Sequence, residues 1–124
     1  MIHEEIVTYE VAKLAKEKGF NVPTSTVKVE KIEGTEKEVW DEDECRYITQ
    51  WETRAVRIPT QSLLQRWLRE EKGLHITVPF DNNEFWWQIK NLANGDSEYG
   101  EALGFDTYEL ALEDGLKYAL ENLV

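Results

Sequence analysis

Cysteine is almost missing from this sequence. Cys45 is the one thiol in 124 residues; alone it closes no intrachain disulfide, so nothing implies an oxidising compartment. Histidine is scarce too, with His3 and His75 only. Zinc sites draw on Cys and His clustered at short spacing, and these three residues are scattered, so no metal or cofactor is expected. The same scarcity leaves no Cys-His pairing and no G-x-S-x-G signature for nucleophilic catalysis. No apolar run approaches the ~20 residues of a membrane-spanning helix. The start, Met1-Ile2-His3-Glu4-Glu5, is acidic and lacks an apolar signal core. A cytoplasmic location without a membrane partner is the expectation.

Positive charge is also in short supply. The chain holds 14 Lys and Arg against 25 Asp and Glu, a net charge of -11. A field of that sign repels phosphate backbones, anionic lipid and acidic substrates, and favours basic partners. The acid run Asp41-Glu42-Asp43-Glu44 lacks the position-six Gly and closing Glu of a calcium loop, and reads as a solvated loop or strand end. Gly95-Asp96-Ser97-Glu98-Tyr99-Gly100 has the glycine spacing of a phosphate loop. Glu101 and Ala102 then stand where a Lys and a hydroxyl are required.

Apolar and aromatic residues are plentiful, with five Trp, five Tyr and four Phe. No linker or composition break divides the chain, so residues 1–124 read as one domain. Helix one is expected over 8–18, capped by Thr8 and stopped at Gly19, with Val7, Val11, Leu14 and Ala15 on one face. Over 26–33, Val27 and Val29 alternate with Lys28 and Glu30, the mark of a half-buried strand. Short strands are expected at 45–50 and 54–58. Helix two follows Thr60 and ends at Gly73, with Leu63, Leu64, Trp67 and Leu68 as its stripe. Residues 74–78 and 85–89 read as a hairpin, with Trp87 on one face and Trp86 on the other. Residues 93–104 read as a loop. Helix three starts at Thr107 and buries Tyr108, Leu112, Leu116, Ala119 and Leu123. The expected fold is α+β: helices packed on one antiparallel sheet, in the order α-β-β-α-β-β-α.

One charge asymmetry stands out. Residues 1–45 hold 6 basic and 12 acidic residues, and residues 73–124 hold 2 and 10. Residues 46–72 reverse this with 6 basic against 3 acidic, and all five Arg lie there. Arg54, Arg57, Arg66 and Arg69, with Trp86, form a candidate interaction face, since Arg and Trp are frequent interface anchors. The alternatives are that these Arg pair internally with the many carboxylates, and that Trp86 belongs to the core.

Three segments carry a resemblance. Ile58-Pro59-Thr60-Gln61-Ser62-Leu63-Leu64-Gln65-Arg66-Trp67-Leu68-Arg69-Glu70 resembles a group of small uncharacterised proteins of gut-bacterial genomes and their prophages. Ala15-Lys16-Glu17-Lys18-Gly19-Phe20 and Phe105-Asp106-Thr107-Tyr108-Glu109-Leu110-Ala111-Leu112-Glu113-Asp114-Gly115-Leu116 are similar to that group's end segments, while 26–55 is unmatched. The group has no established activity, so the resemblance carries over no functional residues. It implies a mobile-element accessory protein.

The preferred reading is a non-catalytic acidic protein that binds another protein, with DNA mimicry as one variant and a homo-oligomer compatible with it. The second is a winged-helix-like nucleic-acid binder using helix 60–72 and hairpin 74–90, which the net charge opposes. The third is an enzyme whose site is assembled from residues distant in sequence.

Overall fold

The structure is a computed structural model that describes residues 4–100 and 104–124. His3, and Glu101 and Ala102 of the phosphate-loop comparison, lie outside the described residues.

Three threonines set the three helices. In α1 (Tyr9–Glu17), α2 (Gln61–Lys72) and α3 (Tyr108–Asn122), the N-caps are Thr8, Thr60 and Thr107. Each hydroxyl oxygen accepts from the N–H three residues on: Val11 at 3.3 Å, Leu63 at 3.2 Å and Leu110 at 3.1 Å. A cap of this kind stabilises by about 1 kcal/mol. The stops are equally local. At the end of α1, Gly19 takes φ 102°. The Phe20 N–H then reaches Ala15 O at 2.9 Å, and the Gly19 N–H reaches Lys16 O at 3.1 Å. That pair of bonds turns the chain back on the last helical turn. Phe20 is thereby buried, with its ring edge-to-face on Trp67 at 5.4 Å.

The strands are all antiparallel and divide among four small sheets. β1 (Thr26–Lys31) pairs with β4 (Thr53–Ile58), and β2 (Lys37–Asp41) with β3 (Arg46–Gln50). β5 (Leu74–Thr77) pairs with β8 (Gln88–Asn91), which also pairs with β9 (Ser97–Tyr99). β6 (Phe80–Asp81) pairs with β7 (Glu84–Phe85). The fold is therefore α+β, with the expected helices, while each expected strand pair is a long hairpin interrupted midway. In the second hairpin the break falls at Pro79, which has no N–H to give to a ladder. Asn82 and Asn83, both at positive φ, make the tight turn between β6 and β7. The expected loop at 93–104 contains β9.

Helix α3 lies at the centre of the packing, against α1, α2, β5 and β8. Leu112, Leu116, Ala119 and Leu120 are buried along it, beside Leu64, Leu68, Ile76 and Ile89. Trp87 packs beside Gly115, where an added Cβ would lie 3.0 Å from the Trp87 Cβ. Its indole N–H donates to Asp114 at 2.8 Å, and its ring lies over Tyr118. Tyr108, expected on the buried stripe, is instead exposed at the start of the helix.

One carboxylate ties the helix starts together. Glu113 on α3 accepts both the N–H and the hydroxyl of Thr8 at 2.9 Å, and the Gln61 side-chain amide at 3.0 Å. Gln61 is the buried polar residue of this core; its amide also donates to Glu109 O at 2.9 Å. Backbone bonds from Val7 N–H to Pro59 O and from Gln61 N–H to Glu5 O fasten the chain start to the β4–α2 junction.

Glu113→Ala removes three acceptor contacts and leaves part of the hydrogen-bonding capacity of buried Gln61 unmet. The expected loss is about 1–3 kcal/mol in urea unfolding, with a smaller loss for Glu113→Gln, which keeps one acceptor oxygen. A loss under about 0.5 kcal/mol for the Ala variant, within the range of an ordinary surface change, would remove Glu113 from this role.

Candidate protein-interaction surface

Residues 26–58 form one long two-stranded arm. The inner ladder runs from Thr26↔Ile58 to Lys31↔Thr53 and gains one more bond, Ile32 N–H to Glu52 O at 2.8 Å. The outer ladder runs from Lys37↔Gln50 to Asp41↔Arg46. Between them, residues 33–36 stand opposite residue 51 alone, a bulge that interrupts pairing and re-aims the strand. Gly34 at φ 83° supplies the turn. The Thr35 hydroxyl pins it, donating to Ile32 O at 2.6 Å and accepting from the Glu52 N–H at 2.9 Å. At the tip, the Asp41 carboxylate accepts from the N–H groups of Asp43 and Glu44.

The inner part of the arm has a covered face. Val56 and Ile58 are buried there, and α1 packs on β4. The register sets Lys28 opposite Val56 and Glu30 opposite Arg54. Lys28 and Glu30 therefore share the covered side. The Glu30 carboxylate meets the Tyr9 hydroxyl, Lys13 and Arg54. Val27 and Val29 are turned outward and are 48% and 64% exposed. This reverses the burial expected from the alternation of 26–33. The register of β4, whose own apolar side is held by α1, decides which face of β1 is covered.

The outward face continues along the arm. Lys31 lies over the Trp51 ring at 3.8 Å, so both belong to that side. Side chains two apart along a strand share a face, which carries the row through Thr49 to Tyr47. Tyr47 is paired with Trp40, ring edge-to-face at 5.2 Å. The two rings are 65% and 49% exposed. Strands β2 and β3 pack chiefly on each other; α1 lies on β4, and α2 on β5. The surface thus runs Val27, Ala55, Val29, Trp51, Trp40, Tyr47, ending at the acidic turn.

At the root of the arm, a cavity of about 520 Å³ is lined by Lys16, Gly19, Phe20, Asn21, Val27, Ala55 and Arg57. Lys16 Nζ donates to Ala55 O at 2.9 Å, and the Arg57 guanidinium donates to Asn21 O. Both cations are held at the rim, and no carboxylate lines the cavity among the described residues.

The candidate face read from sequence is not assembled as one patch. Arg54 and Arg57 lie on opposite sides of β4. Arg54 pairs with Glu30 beneath the arm. Arg66 pairs with Glu70 along α2 at 3.1 Å, and Arg69 is half-buried in the last turn of that helix. Trp86 belongs to the second hairpin, half-buried, with its indole N–H toward Asp81 O at 3.4 Å. Of the five, only Arg57 borders the outward face of the arm. Sequence reasoning passed over Trp40 and Tyr47 as surface anchors. The acid run beside them read as loop, although Trp40 and Tyr47 sit symmetrically about a turn, as a cross-strand pair must.

Other chemistry stays dispersed. His75 lies on β5 opposite Lys90, and Cys45 is exposed at the arm tip. No group of three or more His, Cys, Asp or Glu is placed to hold a metal ion among the described residues. Helix α2 follows β4 directly, without a preceding helix and tight turn. Among the described residues, no helix is long and apolar enough to cross a membrane. No known protein family, curated protein or solved structure matches this chain.

The exposed ring pair lies outside the core, so Trp40→Ala with Tyr47→Ala is expected to shift global stability by less than about 1 kcal/mol in urea unfolding, the scale of one cross-strand pair. A larger loss would show that the outer arm is part of the cooperative core. At the bulge, Glu36 has its pKa held below the ordinary 4.5, chiefly by hydrogen bonding to its own backbone N–H, then to Gly34 N–H, and also to the Trp51 indole. A depressed carboxylate contributes stability above its unfolded pKa, and the contribution is lost as pH falls through the folded one. Wild type minus Glu36→Gln tryptophan fluorescence should therefore show a transition with its midpoint below 4.5. A midpoint at or above that value contradicts the assignment.

Proposed function

We propose that this chain is a non-catalytic protein-interaction protein that presents the outward face of its β-arm to a partner protein. The observation that carries the reading is the exposed Trp40–Tyr47 pair, in line with two exposed valines on an arm whose outer ladder stands clear of the helices. Exposed apolar rows of this kind mark interaction surfaces, and aromatic residues are enriched at interface centres. The pair is held by a ladder, so little side-chain freedom is lost on binding.

Charge narrows the partner. The tip carries Asp41, Glu42, Asp43 and Glu44, and the whole chain has a net charge of -11. A surface that fits the tip must offer cations next to apolar groups, and opposite charge speeds encounter and rejects acidic competitors.

The test is site-specific photocrosslinking in cells of the source organism, with the photoreactive residue at position 47 and, as control, at Glu121 on α3. A discrete protein adduct is expected from position 47 and not from 121. Adding Trp40→Asp should cut the yield about tenfold, the scale of losing one interface anchor. Equal labelling from both positions, or none from 47, would overturn the proposal.

A further inference from the structure

The cavity at the root of the arm is separate from the ring pair at its tip. At about 520 Å³ it falls within the ~300–1,000 Å³ of small-molecule sites. Two elements enclose it. The end of α1 supplies Lys16 and Phe20, and the inner ladder supplies Val27, Ala55 and Arg57. The register sets Val27 opposite Arg57, and Ala55 lies two residues along β4, so these three share the outward face. Phe20 is buried and braced edge-to-face on Trp67, which makes it a fixed apolar wall.

Lys16 and Arg57 stand at the rim. Each gives one donor to a backbone carbonyl, Lys16 to Ala55 O at 2.9 Å and Arg57 to Asn21 O. Those bonds fix where the two charges sit. Lysine has three donors and arginine five, so most are left for a ligand. Lys16 also faces an adjoining cavity that holds Glu17 and Glu30. The Glu30 carboxylate is already met there by Tyr9, Lys13 and Arg54. Across both cavities Lys13, Lys16, Arg54 and Arg57 stand against Glu17 and Glu30, a local excess of two positive charges in a chain of net charge -11.

We propose that this cavity binds a small organic anion, a carboxylate with an apolar body. The carboxylate accepts from Lys16 and Arg57 at the rim, and the body lies against Phe20, Val27 and Ala55. A carboxylate has two oxygens, one for each cation, and such charge-assisted bonds are the stronger kind. The overall field selects for a single charge. Repulsion by a chain of net charge -11 grows with the ligand's own charge, so phosphates and nucleic acid are disfavoured. Burying the apolar body adds affinity that this field does not oppose. With about ten non-hydrogen atoms, such a ligand is expected to bind in the sub-millimolar range.

Amide NMR titration of the full chain tests this, with octanoate as the probe. Saturable shifts are expected at Gly19, Phe20, Asn21 and Ala55. Octan-1-ol, which has the body without the charge, and inorganic phosphate, which has charge without the body, should each bind at least about tenfold more weakly. Lys16→Gln and Arg57→Gln, both at exposed positions, should each weaken octanoate about tenfold, the scale of one charge-assisted hydrogen bond. Val27→Glu sets a carboxylate in the wall at another exposed position and should abolish binding by an independent route. No saturable shift up to about 5 mM, weaker than a ligand of this size should give, overturns the site. An equal response to octanol or to phosphate overturns it too, as does unchanged affinity in either Gln variant. None of these readouts depends on the partner protein of the arm.

Discussion

The packing of α3 governs the rest of the molecule. Its buried row, Leu112, Leu116, Ala119 and Leu120, receives α1, α2 and the β5–β8 pair together. Burying each of its leucines contributes about 1.5–3 kcal/mol, and a chain of 124 residues supplies only one core of this kind. Once two helices and one small sheet cover α3, no large apolar surface is left for the remaining strands. The outer ladder of residues 37–50 is excluded from the body for that reason. Polar bonds then orient what packing has assembled, with Glu113 holding the starts of α1 and α2 against α3.

Exclusion from the core does not leave the arm shapeless. Its inner ladder is anchored by Val56 and Ile58, and the Thr35 hydroxyl locks the bulge from both strands. Beyond the bulge, the cross-strand rings of Trp40 and Tyr47 and the Asp41 turn keep the tip in register. Two-stranded ladders of this kind are marginal in isolation. The tip therefore belongs to the low-stability end of the structure, where segments that serve binding are commonly drawn from. Anchored at the root, the arm presents its aromatic groups without exposing the core.

The electrostatics show the same division. Most of the other paired cations meet carboxylates: Arg54 and Lys13 serve Glu30 on the covered side, while Lys117 with Glu10, Arg66 with Glu70 and Arg46 with Glu44 are pairs at the surface. Exposed pairs of this sort contribute between zero and about 1 kcal/mol each. Lys16 and Arg57 differ, since both donate to carbonyl oxygens at the edge of a cavity that no carboxylate lines among the described residues.

What the amino-acid order determined by itself was local. Thr caps, Gly stops and 3.6-residue stripes act within one or two helical turns, so all three helices were legible to within a residue or two. The second hairpin was legible through the alternation of Ile76 with Val78 and of Phe85, Trp87 and Ile89, although Val78 and Phe85 are only half-buried. The Arg concentration was visible too, but not its destination. Tertiary structure alone decided which face of β1 is covered, because that rests on register with β4, some thirty residues away. It likewise separated Arg54 from Arg57, sent Trp86 to the other hairpin and left Trp40 and Tyr47 on an uncovered ladder. Alternation along a strand names two faces, but only the competition for a finite core assigns one of them to solvent.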